Sequence, residues 1–494
     1  MNEQATETQV TEFNEEAFPK LSGMIKETQP DPPVIGGVEE QIREMGVLVD
    51  EAMEGVVRIK KNLRLTIQDR IAALDALIST QLSAILHAPE FQQLEKTWRG
   101  LHYLVKNSLT GEQLRIRVLN ATKEELGKDF ARASRFDDST LWKMIYTREY
   151  DMPGGIPYSV LLGDFEFGPG SADMELLGHI SQVAAGSFAP FIAAASPQFF
   201  GQTSHADLGN VKDYKLHFTQ PQFARWRALR LREEARFLGL TLPHVLMREP
   251  YGPEAKKVDE FNFKEDVTGR DHRKYLWGNP CFAIGVRLTE AFALYGWPVA
   301  CRGIEGGGAV LDLPLHTFET DEGMQEMKCP TEVAIPGTME GSLSAQGFIP
   351  LCHVQHENYA AFFGAQSCQQ LLDYSDPAAR ANADLSTKLP YILAVSRIAH
   401  HLNCIARDKI GGFLSRQDCE NFLNRWIRDY VLPDDTAPAW RKAKQPLREA
   451  KIIVKDIPGA PGRYSAEVLM SPHVQFEALS AQLSLVAELP KEAK

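Results

Sequence analysis

The sequence predicts an α/β protein with a helical arm at its N-terminal end and a smaller α+β domain at its C-terminal end. Apolar residues recur every three or four positions before residue 110, which indicates amphipathic helices. Between residues 111 and 370, short apolar segments alternate with helical ones, an order typical of a mixed, largely parallel sheet. After residue 384, two long helical patterns precede three strand patterns. These observations divide the chain into residues 1–45, 46–110, 111–370, 371–384 and 385–494.

The composition narrows the class of function. The net charge is −12, from 53 basic and 65 acidic residues, which disfavours general nucleic-acid binding because phosphate contacts need a basic surface. The seven cysteines are scattered without a C-x-x-C pair, as is typical of reduced thiols in the cytoplasm. No apolar run approaches the roughly 18–20 residues that span a bilayer, and the start, MNEQATETQV, does not resemble a secretory signal. We therefore expect a cytoplasmic protein without membrane insertion.

Residues 1–45 are an acidic tail with ten acidic and three basic residues. Their polar, proline-containing composition predicts a flexible segment. Phe18, Leu21 and Ile25 follow helical spacing and predict a short helix that docks into a partner's groove. The residues are equally compatible with a frayed tail that has no role.

Residues 46–110 are the predicted helical arm. The apolar face of its long helix consists of Ile71, Leu74, Leu77, Ile78, Leu82 and Ile85. Pro89 then starts a second helix, because a first helical turn does not need the missing N–H. The apolar stripe of this second helix consists of Phe91, Leu94, Trp98, Leu101 and Val105. The stripe must be covered either by the rest of its own domain or by a partner; we expect burial inside the subunit, with Trp98 anchoring the joint between the arm and the α/β domain.

Residues 111–370 alternate between predicted strands and helices. Thr122 and Glu125 fit a capping box at the start of a helix, and Gly296 ends a helix over Cys281–Tyr295. A helix that carries five arginines is predicted over residues 223–238. Strands are predicted over residues 114–119, 158–165, 191–195, 240–246, 298–303, 332–335, 348–354 and 359–365.

Residues 371–384 are a predicted linker to the C-terminal domain. Helices are predicted beyond it over residues 385–407 and 416–431, followed by strands over 447–456, 463–470 and 474–487. The sequence PGAPG at residues 458–462 is a turn signal that joins the first two strands as a hairpin. Two helices and three antiparallel strands make a compact α+β domain.

A search for catalytic or metal-binding patterns identifies only weak candidates. His353, His356 and Glu357 follow an H-x-x-H-E order that the known zinc proteases do not use, and His400 and Cys404 offer two ligands at most. Two further candidates are the alternating carboxylates Asp164 and Glu166, which favour the solvated side of a strand end, and the glycine-rich residues 303–308, which favour a tight turn or a close backbone approach. We predict no catalytic residue, cofactor or metal. The alternative is a soluble α/β enzyme with its site near Asp164 and residues 303–308.

Several separated segments resemble one family. They include FQQLEKTWRGLHYLV (91–105), HISQVAAGSFAPFIAAASPQFFG (179–201), YGWPVACRGIEGGGAVLDLPLHTF (295–318) and LPYILAVSRIAHHLNCIARDKIGGFLSRQDCENFLNRWI (389–427). These segments are similar to the large subunit of the contractile sheath of bacterial type VI secretion systems, the TssC/VipB or EvpB family. The resemblance extends over roughly residues 45–494.

The resemblance implies a structural protein of the bacterial cytoplasm that needs no cofactor. Family members pair with a small sheath subunit (TssB/VipA-like), and the heterodimers stack helically around an inner tube (Hcp-like). The assembly extends from a baseplate, contraction propels tube and spike, and a ClpV-type AAA+ ATPase recycles the contracted sheath. The resemblance also implies that residues 385–494 are a gpW/gp25-like tail-sheath domain.

The implied partners assign expected roles to particular residues. The arm, through Ile71, Leu74, Ile78 and Leu82, is expected to contact the small subunit. The tail helix at Phe18, Leu21 and Ile25 is the expected docking segment for the ATPase. Strands at a chain end can add to a neighbour's sheet edge, so strand exchange between subunits is expected in the C-terminal domain. The candidates are Ile452, Val454, Val468, Leu483 and Leu485.

Overall fold

The computed structural model describes residues 63–252, 256–259, 261–267, 271–319, 323, 325–355, 357–371, 374–408, 416–457 and 464–473. The chain divides into two compact units, Met1–Ile78 and Ser79–Lys494. The described residues of the first unit belong to helix α1 (Leu63–Leu86), which continues into the second unit. The acidic tail with Phe18, Leu21 and Ile25, and the third C-terminal strand with Leu483 and Leu485, lie outside the described residues.

The second unit contains the remaining helices and all described strands. The helices are α2 (Pro89–Lys106), α3 (Lys123–Arg132), α4 (Thr140–Trp142), α5 (Ser171–Ser187), α6 (Tyr214–Thr219), α7 (Ala224–Arg230), α8 (Cys281–Tyr295), α9 (Gly337–Ala345), α10 (Pro377–Ser386), α11 (Leu389–Asp408), α12 (Arg416–Arg428) and α13 (Ala439–Lys444). The strands are β1 (Leu161–Phe167), β2 (Phe191–Ala195), β3 (Leu238–Leu242), β4 (Val245–Leu246), β5 (Trp277–Gly278), β6 (Ala309–Val310), β7 (His316–Glu319), β8 (Gln325–Lys328), β9 (Phe348–His353), β10 (Ala360–Phe362), β11 (Leu447–Asp456) and β12 (Tyr464–Pro472).

A six-stranded sheet in the order β1-β2-β3-β9-β10-β6 is the centre of the α/β domain. Strands β1, β2, β3 and β9 pair in parallel, whereas β10 pairs antiparallel to both β9 and β6. The predicted mixed, largely parallel sheet is therefore confirmed. Strand β2 is buried along its whole length, as a central parallel strand requires.

Helices cover both faces of this sheet because successive side chains of a strand point to opposite sides. Phe191 and Ala193 of β2 join one hydrophobic cluster with helix α5, and Ile192 joins the other cluster with helix α8. Aromatic rings in tilted and edge-to-face contacts fill much of the first cluster, and Trp226 stacks on Phe348 with 5.5 Å between the ring centroids. The two layers of helices make the sheet a rigid scaffold for the surfaces at its edges.

Four predicted elements differ from the structure. Residues 114–117 alternate in burial, but Val118 and Leu119 are both exposed and no strand of the described residues pairs with this segment. Residues 298–303 and 332–335 are not strands either. The five-arginine helix breaks into α7 and a 3₁₀ helix, Glu233–Phe237. Helix α7 ends at Arg230, whose side chain is buried. This side chain donates hydrogen bonds to the carbonyls of Cys368 (3.0 Å) and Ala345 (2.9 Å). Tertiary contacts therefore override local propensity here.

The C-terminal domain packs two helices against a hairpin. Helices α11 and α12 and strands β11 and β12 share a third hydrophobic cluster, in which Ile398, Ile427 and Ile452 are fully buried. Strands β11 and β12 pair antiparallel from the Ala450↔Met470 pair to Asp456↔Tyr464. The helix pair and the first two strands of this domain are as predicted.

Candidate assembly surfaces

Helix α2 exposes most of the apolar stripe that was expected to be buried, although Leu101 packs against the core. Phe91, Leu94 and Val105 are exposed, and the exposed fraction of Trp98 is 64%. The helix and its period are confirmed, but the expectation that Trp98 anchors the joint inside the subunit is wrong. A stripe of large apolar side chains on a subunit surface is a candidate site for a partner.

The opposite face of α2 packs against the domain through a glycine. A Cβ atom on Gly100 would lie 2.3 Å from the ring of Phe282, so only glycine permits this approach of α2 to α8. Leu104, one turn later, is buried in the same cluster as Phe282. Apolar periodicity misses this face because a glycine contributes nothing to the pattern.

A buried ion pair, rather than Trp98, anchors the joint between α1 and α2. Arg248 donates to both carboxylate oxygens of Glu265 at 2.7 and 3.0 Å. His87, directly after α1, lies 3.0 Å from Glu265 Oε1, and the backbone N–H of Tyr251 donates to Oε2. Burial opposes ionisation of Glu265, but the hydrogen bonds from Arg248 outweigh it and lower the pKa of this carboxyl.

Both arm helices contribute to this joint. The Nε of Arg248 donates to Glu95 of α2 at 2.9 Å, and Arg99 donates to the same oxygen at 2.7 Å. Near the end of α1, the hydroxyl of Ser83 accepts a hydrogen bond from the backbone N–H of Asp266 at 3.1 Å. The contacts that join α1 and α2 to the domain in this network link residues 153 to 183 positions apart in sequence, so no local pattern predicts them.

Helix α1 carries the predicted apolar face, and much of that face is exposed. The exposed fraction of Ile71 is 52% and that of Ile78 is 42%, while Leu74 and Leu82 are half-buried. Ser79 and Ser83 are buried on the side that meets residues 264–266. The contact of this face with a small subunit remains a prediction.

The outer edge of strand β11 is already occupied. Asn424 of α12 donates to the carbonyl of Ile452 at 2.7 Å and accepts from its N–H at 3.0 Å. Glu420 accepts from the N–H of Val454, and Arg416 donates to the carbonyl of Val454, both at 3.0 Å. The side chains of Ile452 and Val454 are also buried in their own domain. Polar side chains of α12 therefore make the hydrogen bonds that a third strand would otherwise make along this edge.

The outer edge of β12, by contrast, has no partner strand within the described residues. Ile452 pairs with Val468, and the backbone groups of Ile452 point away from β12 toward Asn424. This is a non-hydrogen-bonded pair, so the N–H and C=O of Val468 also point away from the hairpin. Among the described residues, no hydrogen bond reaches this edge of β12. Such an edge is a template for an added strand.

The sequence-derived chemical candidates have structural partners. Asp164 accepts a hydrogen bond from Thr97 at 2.5 Å, and Glu166 accepts one from Lys96 at 3.1 Å, so both carboxylates contact α2 rather than solvent alone. His400 donates to the carbonyl of Ser187 at 2.9 Å, and burial lowers its pKa to about 4.

The glycine-rich segment is the tight turn that was predicted. Gly303 and Gly307 have positive φ angles of 72° and 90°. The N–H of Gly308 donates to the carbonyl of Gly303 at 2.8 Å, which closes the turn. His356, the middle residue of the H-x-x-H-E motif, lies outside the described residues.

One buried polar cluster was not predicted. His205, His244 and Glu332 place ligand-type atoms within 4.8 Å of one another, although they come from three distant segments. However, His244 Nδ1 lies 2.5 Å from Glu332 Oε2, which is a direct hydrogen bond. Ligand atoms around a tetrahedral zinc ion, each about 2.0–2.1 Å from the metal, lie more than about 3 Å apart. The cluster is therefore spaced for hydrogen bonds rather than for a metal.

No single helix in the described part of the chain is long and apolar enough to cross a membrane. One bent pair of helices, Ile67–Leu86 with Pro89–Lys106, meets the criteria by length and composition. These segments lie in α1 and α2, whose exposed faces are described above.

Comparison with known proteins identifies the family. Residues 68–369 match the family described as "EvpB/VC_A0108, tail sheath N-terminal domain", and residues 378–489 match the family's "tail sheath gpW/gp25-like domain". The chain belongs to the VipB/EvpB family of tail sheath proteins. The predicted gpW/gp25-like C-terminal domain is confirmed with it.

A curated relative and a solved structure extend the comparison. The chain is 44% identical over 461 residues to the type VI secretion system sheath protein TssC1 of Pseudomonas aeruginosa strain PAO1, and the alignment covers 92% of each protein. In a cryo-EM structure of the anti-feeding prophage baseplate, one chain aligns with a TM-score of 0.34 and 9% identity, over 64% of this chain and 66% of that one.

The family assignment decides between the two classes of function. VipB/EvpB sheath proteins are structural components of type VI secretion systems, so the chain is a sheath subunit and not an enzyme. The α/β enzyme considered from the sequence is thereby excluded.

Proposed function

We propose that this protein is the large subunit of a contractile sheath in the bacterial cytoplasm. It pairs with a small, TssB/VipA-like subunit, polymerises helically around an Hcp-like inner tube, and contracts against a baseplate to propel tube and spike. The observation that carries the proposal is the open edge of β12 beside the closed edge of β11. An edge that is open on one side of the described hairpin and occupied on the other favours a directional, heterologous contact, and contacts that do not close on themselves form helical filaments.

The small subunit covers the exposed faces of the arm in this proposal. The apolar side chains available to it include Ile71 and Ile78 of α1, and Phe91, Leu94 and Trp98 of α2. Leu74 and Leu82 lie at the border of the α1 face. The joint at Arg248 and Glu265 keeps these helices attached to the sheet while a partner binds them.

A neighbouring strand pairs with β12 and links subunits along the filament. Val468 presents the backbone groups for it, while Ile452 and Val454 support the hairpin from the buried side. Residues 474–487, with Leu483 and Leu485, supply the exchanged strand. Backbone pairing through a chain end lets rigid subunits change their relative positions without separating, which is what contraction requires.

The remaining assignments complete the proposal. Phe18, Leu21 and Ile25 in the acidic tail dock the ClpV-type ATPase after contraction. The work comes from relaxation of an extended lattice, so the subunit uses no cofactor. Residues 1–45 are the tail, 46–110 the arm, 111–370 the α/β sheath domain, 371–384 the linker and 385–494 the tail-sheath domain.

Co-expression with the small sheath subunit encoded nearby tests the proposal directly. We expect the two proteins to co-purify and to form hollow helical tubes in electron micrographs, whereas this chain alone is poorly soluble because its arm is uncovered. A soluble monomer that does not bind the small subunit and forms only discrete particles would refute the proposal.

A substitution on α2 tests where the small subunit binds. Trp98→Asp places a charge in the exposed stripe, and we expect it to weaken co-purification about tenfold or more, because buried tryptophans dominate interface energies. Trp440→Asp is the matched control: Trp440 is also exposed, at 54%, but lies on α13. Equal binding by the two variants would remove α2 from the interface.

A further inference from the structure

Two carboxylates face the same imidazole from different sides. His244 lies between β3 and β4 with a side-chain exposure of 11%. Its Nδ1 lies 2.5 Å from Glu332 Oε2, and its Nε2 lies 3.2 Å from Glu166 Oε1. The first contact is a hydrogen bond, and the second is an ion-pair contact that is not aligned with the N–H bond.

A neutral imidazole does not fit between these groups. Neutral histidine has one N–H and one lone pair, so it would turn a lone pair toward one of the carboxylates. Protonated histidine donates from Nδ1 to Glu332 and places its positive charge 3.2 Å from Glu166, so it compensates the charge of both acids. Lys96 lies 3.1 Å from Glu166, the Lys123 ammonium donates to the backbone carbonyl of Glu166 at 2.8 Å, and Lys328 interacts electrostatically with Glu332. His244 contacts both carboxylates, so a proton on its ring compensates charge on both acids.

The other polar groups around Glu332 are consistent with this charge balance. His205 Nδ1 lies 3.1 Å from Glu332 Oε2, and its backbone N–H donates to Oε1. His272 Nε2 lies 3.3 Å from Oε1, and the hydroxyl of Ser204 donates to the same oxygen. Burial lowers the pKa of His205 and keeps its ring neutral, so His244 is the imidazole that carries the charge.

We infer that His244 is a permanent imidazolium at neutral pH and acts as a proton-dependent lock in the α/β domain. The lock joins the carboxyl end of β1 at Glu166, the turn before β4, the 3₁₀ helix His205–Asn210 and the segment at Glu332. Lys96 connects it to α2. When the proton leaves, Glu166 and Glu332 lose the cation that contacts them both, and these segments separate more easily.

The direction of the pH dependence follows from the pKa values. Burial opposes protonation of His244, but the contacts with Glu166 and Glu332 outweigh it and raise its pKa to about 9. The ordinary value, about 6.5, applies in the unfolded chain. The stabilisation is therefore complete below about pH 6.5 and is lost as the pH rises toward 9. Because the pKa values of Glu166 and Glu332 are lowered, their contribution is lost only on acidification below about pH 4.5.

The test compares three proteins that differ in the charge carried by residue 244. The thermal midpoint of the full-length protein is measured at pH 6.5, 8.0 and 9.5 for wild type, His244→Arg and His244→Gln. Arginine keeps the charge at every pH, so we expect its midpoint to fall less than that of wild type. Glutamine has no charge, so its midpoint should be several degrees lower at pH 6.5 and should converge with wild type at pH 9.5.

His400→Gln is the matched control, because His400 is buried but has a lowered pKa and is already neutral over this range. Its curve should run parallel to that of wild type. If His244→Arg also runs parallel to wild type, the lock does not exist. A tightly bound equivalent of zinc in wild type, absent from His244→Gln in elemental analysis, would likewise overturn the inference by replacing the proton with a metal.

A measurement on the wild-type protein covers the case in which a variant does not fold. Deuterium exchange at the C2 position of each histidine, followed by mass spectrometry, reports the protonation midpoint of that residue. We expect a midpoint near pH 9 for His244, with His205 below its ordinary value. A midpoint for His244 at or below about 6.5, the ordinary value, contradicts the inference.

Discussion

Replacing Val468 with proline is expected to abolish helical tubes while the subunit stays folded. The N–H of Val468 points away from β11, so its loss removes no hydrogen bond of the hairpin. Proline is tolerated on edge strands for this reason, but it removes the donor that an incoming strand needs and its ring obstructs pairing. Each subunit in a filament repeats the defect, so a loss of about 1 kcal/mol for each missing hydrogen bond multiplies along the lattice.

Val468→Ala is the control for this experiment. Val468 is half-buried in the cluster behind the hairpin, so alanine and proline lose similar packing while only proline loses the N–H. We expect tubes in electron micrographs from co-expressed Val468→Ala and none from Val468→Pro, with both chains still binding the small subunit. Tubes of normal length from the proline variant would show that β12 is not where subunits join.

Several elements could be predicted from the sequence because their signals are local. Helix α8 has the predicted bounds, since its apolar run ends at Gly296, which has a φ of 77°. The capping box at Thr122 and Glu125 forms with both of its hydrogen bonds. Strand β2 also has the predicted bounds, because a short apolar run between turn signals has few alternatives.

The orientation of α2 could not be predicted in the same way. Periodicity shows that one face is apolar, but not whether the subunit or a partner covers it. The face of this helix that carries Gly100 and Leu104 packs against the subunit's own domain, whereas Trp98 remains exposed. An apolar stripe in a protein that functions as an assembly is therefore evidence for burial somewhere, not for burial in the monomer.

Strand pairing and the contacts of buried polar groups also could not be predicted from the sequence. Residues 114–119 have the alternation of a strand, and Ile116 packs against the core, but no described strand lies beside them. The His244 cluster and the Arg248 joint consist of residues that meet only after the sheet has formed. A single sequence gives no signal for such pairs when they are more than about 80 residues apart.

Breaking the ion pair at the arm joint is expected to be the most destabilising substitution proposed here. The side chain of Arg248 is 4% exposed, and that of Glu265 is fully buried. Arg248→Met fills much of the same space but leaves a buried carboxylate without its main partner. Removal of one member of a buried pair typically costs about 3–5 kcal/mol, and the free energy of unfolding should fall by that amount in urea denaturation.

Two further variants separate the unpaired charge from the lost packing. Adding Glu265→Gln to Arg248→Met removes the charge while the Tyr251 N–H keeps an acceptor, so we expect the double variant to regain part of the loss. Arg117→Met breaks the exposed ion pair with Glu149 and should cost about 0–1 kcal/mol. If Arg248→Met were as mild as Arg117→Met, the joint would not depend on this pair. Amide hydrogen exchange shows whether the loss includes detachment of the arm. Because the ion pair holds the end of α1 to the domain, amides near His87 and Ser83 should exchange faster in Arg248→Met than in wild type.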